Sequence, residues 1–284
     1  MDFIGVFEAK GTLRGLAFRP ARFLGAGVAV LFAGAFAVSA EDKKPAPPPE
    51  PPKPILTVPL GLIAGRTNVV QLRGLRLKDA DRVSLEGLKA SVLVTVTIRK
   101  REDVKPPDGV PAPKAGDQAL ELAVVVPAFD PAIELGTNRL SWSVHSTNGL
   151  GSLNGIPVFH SDRLVESREP NNGFREAQPL KPGQTVRGAL EKSGEVDVFR
   201  IEGTAGQTLS AEVLASRMGS TLDGILTWYD EAGTLLASND DAVGADPALT
   251  LKLTKSGPVF LALTYANEKA GKTHGYLLTV EARP

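Results

Sequence analysis

The segment Glu169–Asn172 carries a set of side chains that are suited to holding a cation. Glu169, Asn171 and Asn172 supply three oxygen-bearing side chains within four residues, and Pro170 stiffens the backbone between them. Proteins bind Ca²⁺ through about six to eight oxygen atoms of carboxylates, amides and backbone carbonyls. The segment therefore predicts part of a calcium site. The alternative is an entry turn, in which the asparagines close Asx-turns and Glu169 accepts hydrogen bonds from backbone amides.

A second acidic group follows the strand-like stretch at 224–229. Asn239, Asp240 and Asp241 are consecutive, and three further aspartates lie near them in sequence: Asp223, Asp230 and Asp246. This group is a second candidate for a cation. Because Asn and Asp are also the usual residues of loops that follow hairpin strands, the pattern favours turns here.

Other kinds of site chemistry are excluded or lack a motif. The chain has no cysteine and only three histidines, so thiol catalysis, Cys-ligated metals and multi-histidine metal sites are not expected. It contains no G-x-S-x-G elbow, no P-loop and no H-E-x-x-H helix. A net charge of +0 also argues against non-specific binding of nucleic acid. We therefore expect a protein that is not an enzyme and binds no nucleic acid.

The N-terminal residues predict export from the cytoplasm. Basic residues precede an uncharged stretch at 23–40 that ends in the small residues of a cleavage site after Ala40. The alternative is an uncleaved membrane anchor, since the stretch is near the lower limit of about 17 to 20 residues for spanning a bilayer. Either reading places the rest of the chain outside the cytoplasm: secreted, periplasmic or on the cell envelope.

A proline-rich spacer follows the signal segment. Seven of the fourteen residues at 41–54 are proline, a composition that favours extended polyproline II and disfavours helices and sheet ladders. We expect a semi-rigid spacer between the signal peptide, 1–40, and the folded part.

The remaining chain predicts an all-β protein. Apolar residues alternate with polar ones in stretches such as 92–98, 120–126 and 140–144, a period of two that indicates strands with one buried face. The same pattern recurs after residue 196, and Gly- and Pro-rich turns separate the stretches. We expect two antiparallel β-sandwich domains, at 55–160 and 161–284. The second holds 17 acidic and 13 basic side chains, so it is the better host for a cation.

Residues 165–282 resemble the bacterial pre-peptidase C-terminal domain. The resemblance rests on the order of four motifs: EPNN at 169–172, DVF at 197–199, AGQTL at 205–209, and the run from LDG at 222 to NDD at 239–241. It implies a β-sandwich of secreted bacterial proteins, often found beside peptidases and not itself catalytic. Residues 55–160 resemble the immunoglobulin-like modules that often precede this domain, on the strength of an opening Gly-containing turn and a closing TNGLG hairpin.

The resemblance also completes the candidate metal site. In relatives that bind calcium the acid of the D-x-F motif is a ligand, which implies Asp197 as the partner of Glu169, Asn171 and Asn172. Those relatives carry a further acid two positions before the EPN glutamate, where this chain has Ser167. With fewer carboxylates we expect weak calcium binding, with a Kd of about 10⁻⁴ to 10⁻³ M, or none.

These observations together predict a non-catalytic binding protein of the cell exterior, with calcium as its candidate cofactor and a purely structural turn at 169–172 as the alternative. The expected partner is an extracellular protein or polysaccharide, and membrane contact would come only through an uncleaved N-terminal segment. An accessory role in an extracellular peptidase system is the alternative function. An unrecognised hydrolase is a third and is disfavoured, because no catalytic constellation is found.

Overall fold

A computed structural model describes residues 48–88, 92–128, 140–267 and 270–284. The predicted signal peptide, 1–40, and the first half of the predicted spacer, 41–47, lie outside these residues. No helix in the described ranges has the length and apolar character needed to cross a membrane. Residues 48–284 form one compact unit.

The first half forms an N-terminal sandwich of two main sheets. Its elements are β1 (Lys53–Val58), β2 (Leu62–Ile63), β3 (Arg66–Leu75), β4 (Ala80–Glu86), β5 (Thr95–Asp103), α1 (Ala112–Ala115), β6 (Gln118–Val126), β7 (Leu140–Ser146), β8 (Gly149–Ile156) and β9 (Val158–Phe159). One sheet has the order β1-β3-β6-β5 and the other β4-β7-β8, while β2 and β9 form a short parallel pair. Trp142 is fully buried between the sheets, and its indole nitrogen donates to Thr57 Oγ1 at 2.9 Å.

The second half forms a C-terminal sandwich of two five-stranded sheets. Its elements are β10 (Leu164–Glu166), β11 (Gln178–Pro179), β12 (Thr185–Ala189), β13 (Asp197–Gly203), β14 (Thr208–Leu214), a 3₁₀ turn (Ser216–Met218), β15 (Gly224–Tyr229), β16 (Leu235–Asn239), β17 (Ala248–Lys252), β18 (Gly257–Tyr265) and β19 (Gly275–Arg283). We call the sheet β10-β12-β19-β14-β17 the inner sheet, because it contacts the N-terminal sandwich, and the sheet β11-β13-β18-β15-β16 the outer sheet. The prediction of an all-β fold is confirmed.

Strand alternation positions the candidate site in the C-terminal sandwich. On β13, Phe199 and Ile201 are fully buried in the core between the two sheets, whereas Arg200 and Glu202 are exposed. Successive side chains of a strand point to opposite faces, so Asp197 lies on the same inward face as Phe199. The pattern of this strand therefore directs a carboxylate toward the end of an apolar core.

The two sandwiches share a packed interface. Leu164, Met218 and Leu277 of the C-terminal half belong to the hydrophobic core of the N-terminal sandwich. Arg187 on β12 is 6% exposed, and its Nη1 donates to the carbonyl oxygens of Leu60 at 3.2 Å and Gly61 at 3.1 Å. The two halves therefore pack against each other within one compact unit. The domain boundary at residue 160 stays a prediction.

The last two residues of the predicted semi-rigid spacer, 41–54, belong to the first strand. Lys53 and Pro54 pair with Leu75 and Gly74 as the start of β1, which is an edge strand and so tolerates proline. A Cβ atom at Gly151 would lie 1.9 Å from the carbonyl oxygen of Pro52, and one at Gly74 would lie 2.2 Å from that of Lys53. Glycine at these two positions lets the proline-rich chain pack directly against the sandwich.

Candidate metal site at the sandwich junction

Asp197 is the most buried acid of the candidate site. It is the first residue of β13, is 0% exposed, and faces Tyr276 of the inner sheet across the end of the core. The Tyr276 hydroxyl donates to Asp197 Oδ2, and Ser167 Oγ donates to the same oxygen at 3.2 Å. These two hydroxyl groups hold the carboxylate in place, and neither of them carries a positive charge.

Glu169 and Glu195 lie beside Asp197. One carboxylate oxygen from each of the three residues lies within 4.8 Å of the others. Glu195 is 8% exposed, and its Oε2 accepts a hydrogen bond from the backbone nitrogen of Lys192 at 2.6 Å. The sequence interpretation missed Glu195. The signal available was its i, i+2 spacing from Asp197, which places two acids on one face of an extended chain.

Asn171 closes the cluster. It is fully buried, its backbone carbonyl accepts from the Val198 nitrogen at 2.8 Å, and its amide nitrogen donates to Ser167 Oγ at 3.0 Å. The other amide atom, the oxygen, lies 3.0 and 3.2 Å from the Glu169 carboxylate oxygens and 3.2 Å from Asp197 Oδ1. An oxygen in this position faces only acceptors; with the amide turned by 180°, its nitrogen donates to both carboxylates and its oxygen accepts from Ser167 Oγ at 3.0 Å.

Asn172 is placed differently from the other three predicted residues. Its side chain is exposed, and among the described residues it makes no hydrogen bond to the cluster. The structure therefore brings together Glu169, Asn171 and Asp197 of the predicted set and adds Glu195, with Ser167 at hydrogen-bonding distance.

Burial and mutual repulsion shift the protonation of the cluster. The pKa of Asp197 is raised to about 7, and burial is the largest cause. The hydrogen bond from Tyr276 lowers this pKa, whereas the neighbouring carboxylates Glu169 and Glu195 raise it. The pKa of Glu169 is also raised, by burial first and then by Glu195. No ion pair within the described ranges joins Lys or Arg to any of the three acids. Glu169 is exposed to water, so the uncompensated charge is concentrated on the buried carboxylates Glu195 and Asp197, where a proton or a cation would offset it.

The donor set fits calcium. Three carboxylates, those of Glu169, Glu195 and Asp197, converge on the site, and carboxylate oxygens are the ligands of hard divalent cations. Glu169 and Glu195 also line a cleft whose opposite wall is the stretch Leu56–Leu60 of the N-terminal sandwich. A cation held by the cluster would lie at the junction of the two sandwiches.

The second acidic group has local structural contacts. Asp246 is 1% exposed and accepts from Arg217 Nε at 2.7 Å and from the Ser216 nitrogen at 2.6 Å, at the start of the 3₁₀ turn. Asp230 Oδ1 accepts from the Thr234 nitrogen at 2.8 Å, and Asn239 Oδ1 from the Ala248 nitrogen at 3.1 Å. These contacts are those of turn and capping residues.

Comparison with known proteins gives one relative by sequence and several by structure. No protein-family model matches the chain. A probable subtilase-type serine protease of Deinococcus radiodurans is 38% identical over 106 residues, which are 36% of this chain and 15% of the protease. The pre-peptidase C-terminal domain of a Bacillus anthracis collagenase is matched over 100% of its length by 39% of this chain, with 19% identity and a TM-score of 0.31. The sequence resemblance is confirmed.

A further match spans both sandwiches. The secreted serine protease VesC of Vibrio cholerae is similar over 79% of this chain and 49% of its own, with 12% identity and a TM-score of 0.29. Neither structural likeness is close enough to carry an argument about function. The chain spans about 15% of the length of the curated relative that it matches.

Proposed function

We propose that this chain is a non-catalytic binding module of a secreted peptidase system and that calcium stabilises it. The observation that carries the proposal is the cluster of Glu169, Glu195 and Asp197, whose carboxylate oxygens converge beside the cleft between the sandwiches. Glu195 and Asp197 are buried whereas Glu169 is exposed, and buried carboxylates without a counter-charge are costly. A divalent cation would remove that cost.

Calcium would connect three separate parts of the chain. Glu169 and Asn171 come from the segment that follows β10, Glu195 from the loop before β13, and Asp197 from β13 itself. Because such a site exists only in the folded state, the metal would stabilise that state by RT ln(1 + [Ca²⁺]/Kd). At the millimolar calcium of extracellular fluids, a Kd of about 10⁻⁴ M gives about 1.4 kcal/mol.

The accessory role is supported by relatives and by the sequence. The relative found by sequence is a probable subtilase-type serine protease, and the matched part is 15% of that protease's length. The chain itself contains no motif of a nucleophile, a metal-activated water or a cofactor. We therefore infer that the chain recognises a peptidase and that the peptidase carries out the catalysis.

A capture experiment tests this role. The chain is immobilised in calcium buffer and incubated with the culture medium of the organism that encodes it, and bound proteins are identified by mass spectrometry. We expect a secreted peptidase to be retained by the folded chain and not by a heat-unfolded control. Hydrolysis of peptide or glycoside substrates by the purified chain alone would contradict the proposal, as would retention on insoluble polysaccharide without any peptidase.

A further inference from the structure

Three asparagines of the chain are followed directly by glycine: Asn148, Asn154 and Asn172. The side-chain carbonyl carbon of such an asparagine is open to attack by the backbone nitrogen of the next residue. Glycine favours the attack, because it has no Cβ atom to hinder the approach. This reaction is one reason why asparagine counts among the thermolabile residues of proteins. The fold decides which of the three asparagines can react.

The β7-β8 hairpin holds the first two of these asparagines. Asn148 lies in its tight turn, where its backbone nitrogen donates to Ser146 Oγ at 3.2 Å and the following Gly149 pairs with Ser146. Asn154 lies within β8 and pairs with Ser141 of β7. Backbone that belongs to a ladder has a fixed conformation, so these steps can react only when the hairpin opens locally.

Asn172 lies outside any ladder. It belongs with Gly173 to the segment between β10 and β11, and its side chain is exposed. In the part of the chain that the structure describes, the Asn172 amide makes no hydrogen bond and the Gly173 nitrogen donates none. Gly173 is held only through its carbonyl oxygen, which accepts from the Glu176 nitrogen at 3.1 Å. The two groups that must meet are therefore not held apart by other contacts.

The surroundings of Gly173 leave room for the reaction. A Cβ atom at this position would meet only Glu176 Oε2, at 4.0 Å. At Gly149 it would lie 3.3 Å from the Cβ atom of Pro51. The ring that the attack forms therefore has more space at Gly173 than in the turn of the hairpin.

We propose that Asn172 is a site of spontaneous deamidation and that the β7-β8 hairpin protects Asn148 and Asn154. The Gly173 nitrogen loses its proton and bonds to Asn172 Cγ, ammonia leaves, and a cyclic imide remains. Water then adds to one of the two imide carbonyl carbons and breaks the bond from that carbon to nitrogen. Breakage at Cγ gives aspartate, and breakage at the backbone carbonyl carbon gives isoaspartate. The proposal is independent of the proposed calcium site and of a peptidase partner.

The reaction would change both the charge and the backbone of this segment. A carboxylate at position 172 would follow directly on Asn171, which contacts the carboxylate cluster, so it would add a like charge to an acidic region. Isoaspartate also adds one atom to the backbone between Asn171 and Phe174. The Asn171 carbonyl is bonded to β13, and the Phe174 ring stacks on Phe260 with ring centroids 4.6 Å apart. The extra atom must be accommodated between these two docked points.

Peptide mapping of the full chain tests the proposal. The protein is incubated in mildly alkaline buffer, with and without urea, and deamidation at each asparagine is followed by mass spectrometry of proteolytic fragments. In the native chain we expect Asn172 to deamidate at least about tenfold faster than Asn148 and Asn154, and in urea we expect three similar rates. Equal native rates, or a slower reaction at Asn172, would overturn the proposal. A difference that persists in urea would overturn the protection by the hairpin.

Gly173→Ala is the matched variant. The added methyl group hinders the attack, whereas the open space and the absence of a left-handed backbone at Gly173 allow alanine to be accommodated. We expect deamidation at Asn172 to slow at least about tenfold and the rates at Asn148 and Asn154 to stay unchanged. Asn172→Ser cannot form the imide and identifies the fragment that should gain no charge. An unchanged rate at Asn172 in Gly173→Ala would show that the Gly173 nitrogen is not the attacking group.

Discussion

Without calcium, raising the pH from about 5 to about 8 is expected to lower the free energy of unfolding by about 2 to 3 kcal/mol. The cause is Asp197, whose pKa of about 7 in the folded protein exceeds the value of about 3.9 expected in the unfolded chain. Between these values the folded state binds more protons, so stability falls as the pH rises. The contribution is fully present below about pH 4 and is lost as the pH passes through about 7. The pKa of Glu169 is also raised in the folded protein, so its contribution to stability changes with pH in the same direction.

Urea unfolding at a series of pH values, in the presence of a chelator, measures how the free energy of unfolding depends on pH. Asp197→Asn is the matched control, because an amide at this position can still accept from Tyr276 and carries no charge. We expect the variant to be less sensitive to pH than the wild type and more stable than it at pH 8. A wild-type profile that is flat over this range, or an equal slope in both proteins, would contradict the assignment of the buried charge to Asp197.

Arg187→Met is expected to lower the free energy of unfolding by about 3 kcal/mol. Arg187 is 6% exposed and donates to the carbonyls of Leu60 and Gly61, while its Nε donates to Glu166 Oε2 at 3.1 Å. Methionine keeps much of the side-chain volume but leaves two buried carbonyls without this donor. Because the contact joins the sandwiches, we also expect the unfolding transition of the variant to be broader than that of the wild type.

Arg200→Met is the control for this variant. Arg200 forms an ion pair with Glu202 at 2.6 Å, and both side chains are about half exposed, at 45% and 62%. Exposed pairs contribute about 0 to 1 kcal/mol, so the loss should be small. The free energies of unfolding of the two variants are compared by chemical unfolding monitored through Trp fluorescence. Equal losses in the two would show that Arg187 does not couple the sandwiches.

The sequence predicted the features that depend on local patterning. The alternation that exposes Arg200 and buries Phe199 and Ile201 is visible in the residues alone, because a strand with one buried face requires it. The convergence of Glu169 and Asn171 with Asp197 was implied by the motifs of the pre-peptidase C-terminal domain. In each case the information lies within a few residues or in a known motif.

The features that were not predicted depend on contacts between distant parts of the chain. Arg187 and Leu60 are 127 residues apart, and the hydrogen bond between them exists only because the inner sheet docks on the N-terminal sandwich. Phe174 is one apolar residue in a polar turn, and only the register of β13 and β18 shows the surface that it covers. Glu195 precedes a strand in a stretch that otherwise resembles solvent-exposed loop.

Calcium titration by calorimetry at pH 7.5 tests the central claim most directly. We predict that the wild-type chain binds one Ca²⁺ with a Kd of about 10⁻⁴ to 10⁻³ M and that Asp197→Asn does not bind measurably. Ser167→Asp should bind about tenfold tighter, since Ser167 Oγ already lies 3.2 Å from Asp197 Oδ2 and a carboxylate there would add a charged ligand. No binding by the wild type, or an unchanged Kd in Asp197→Asn, would contradict the account.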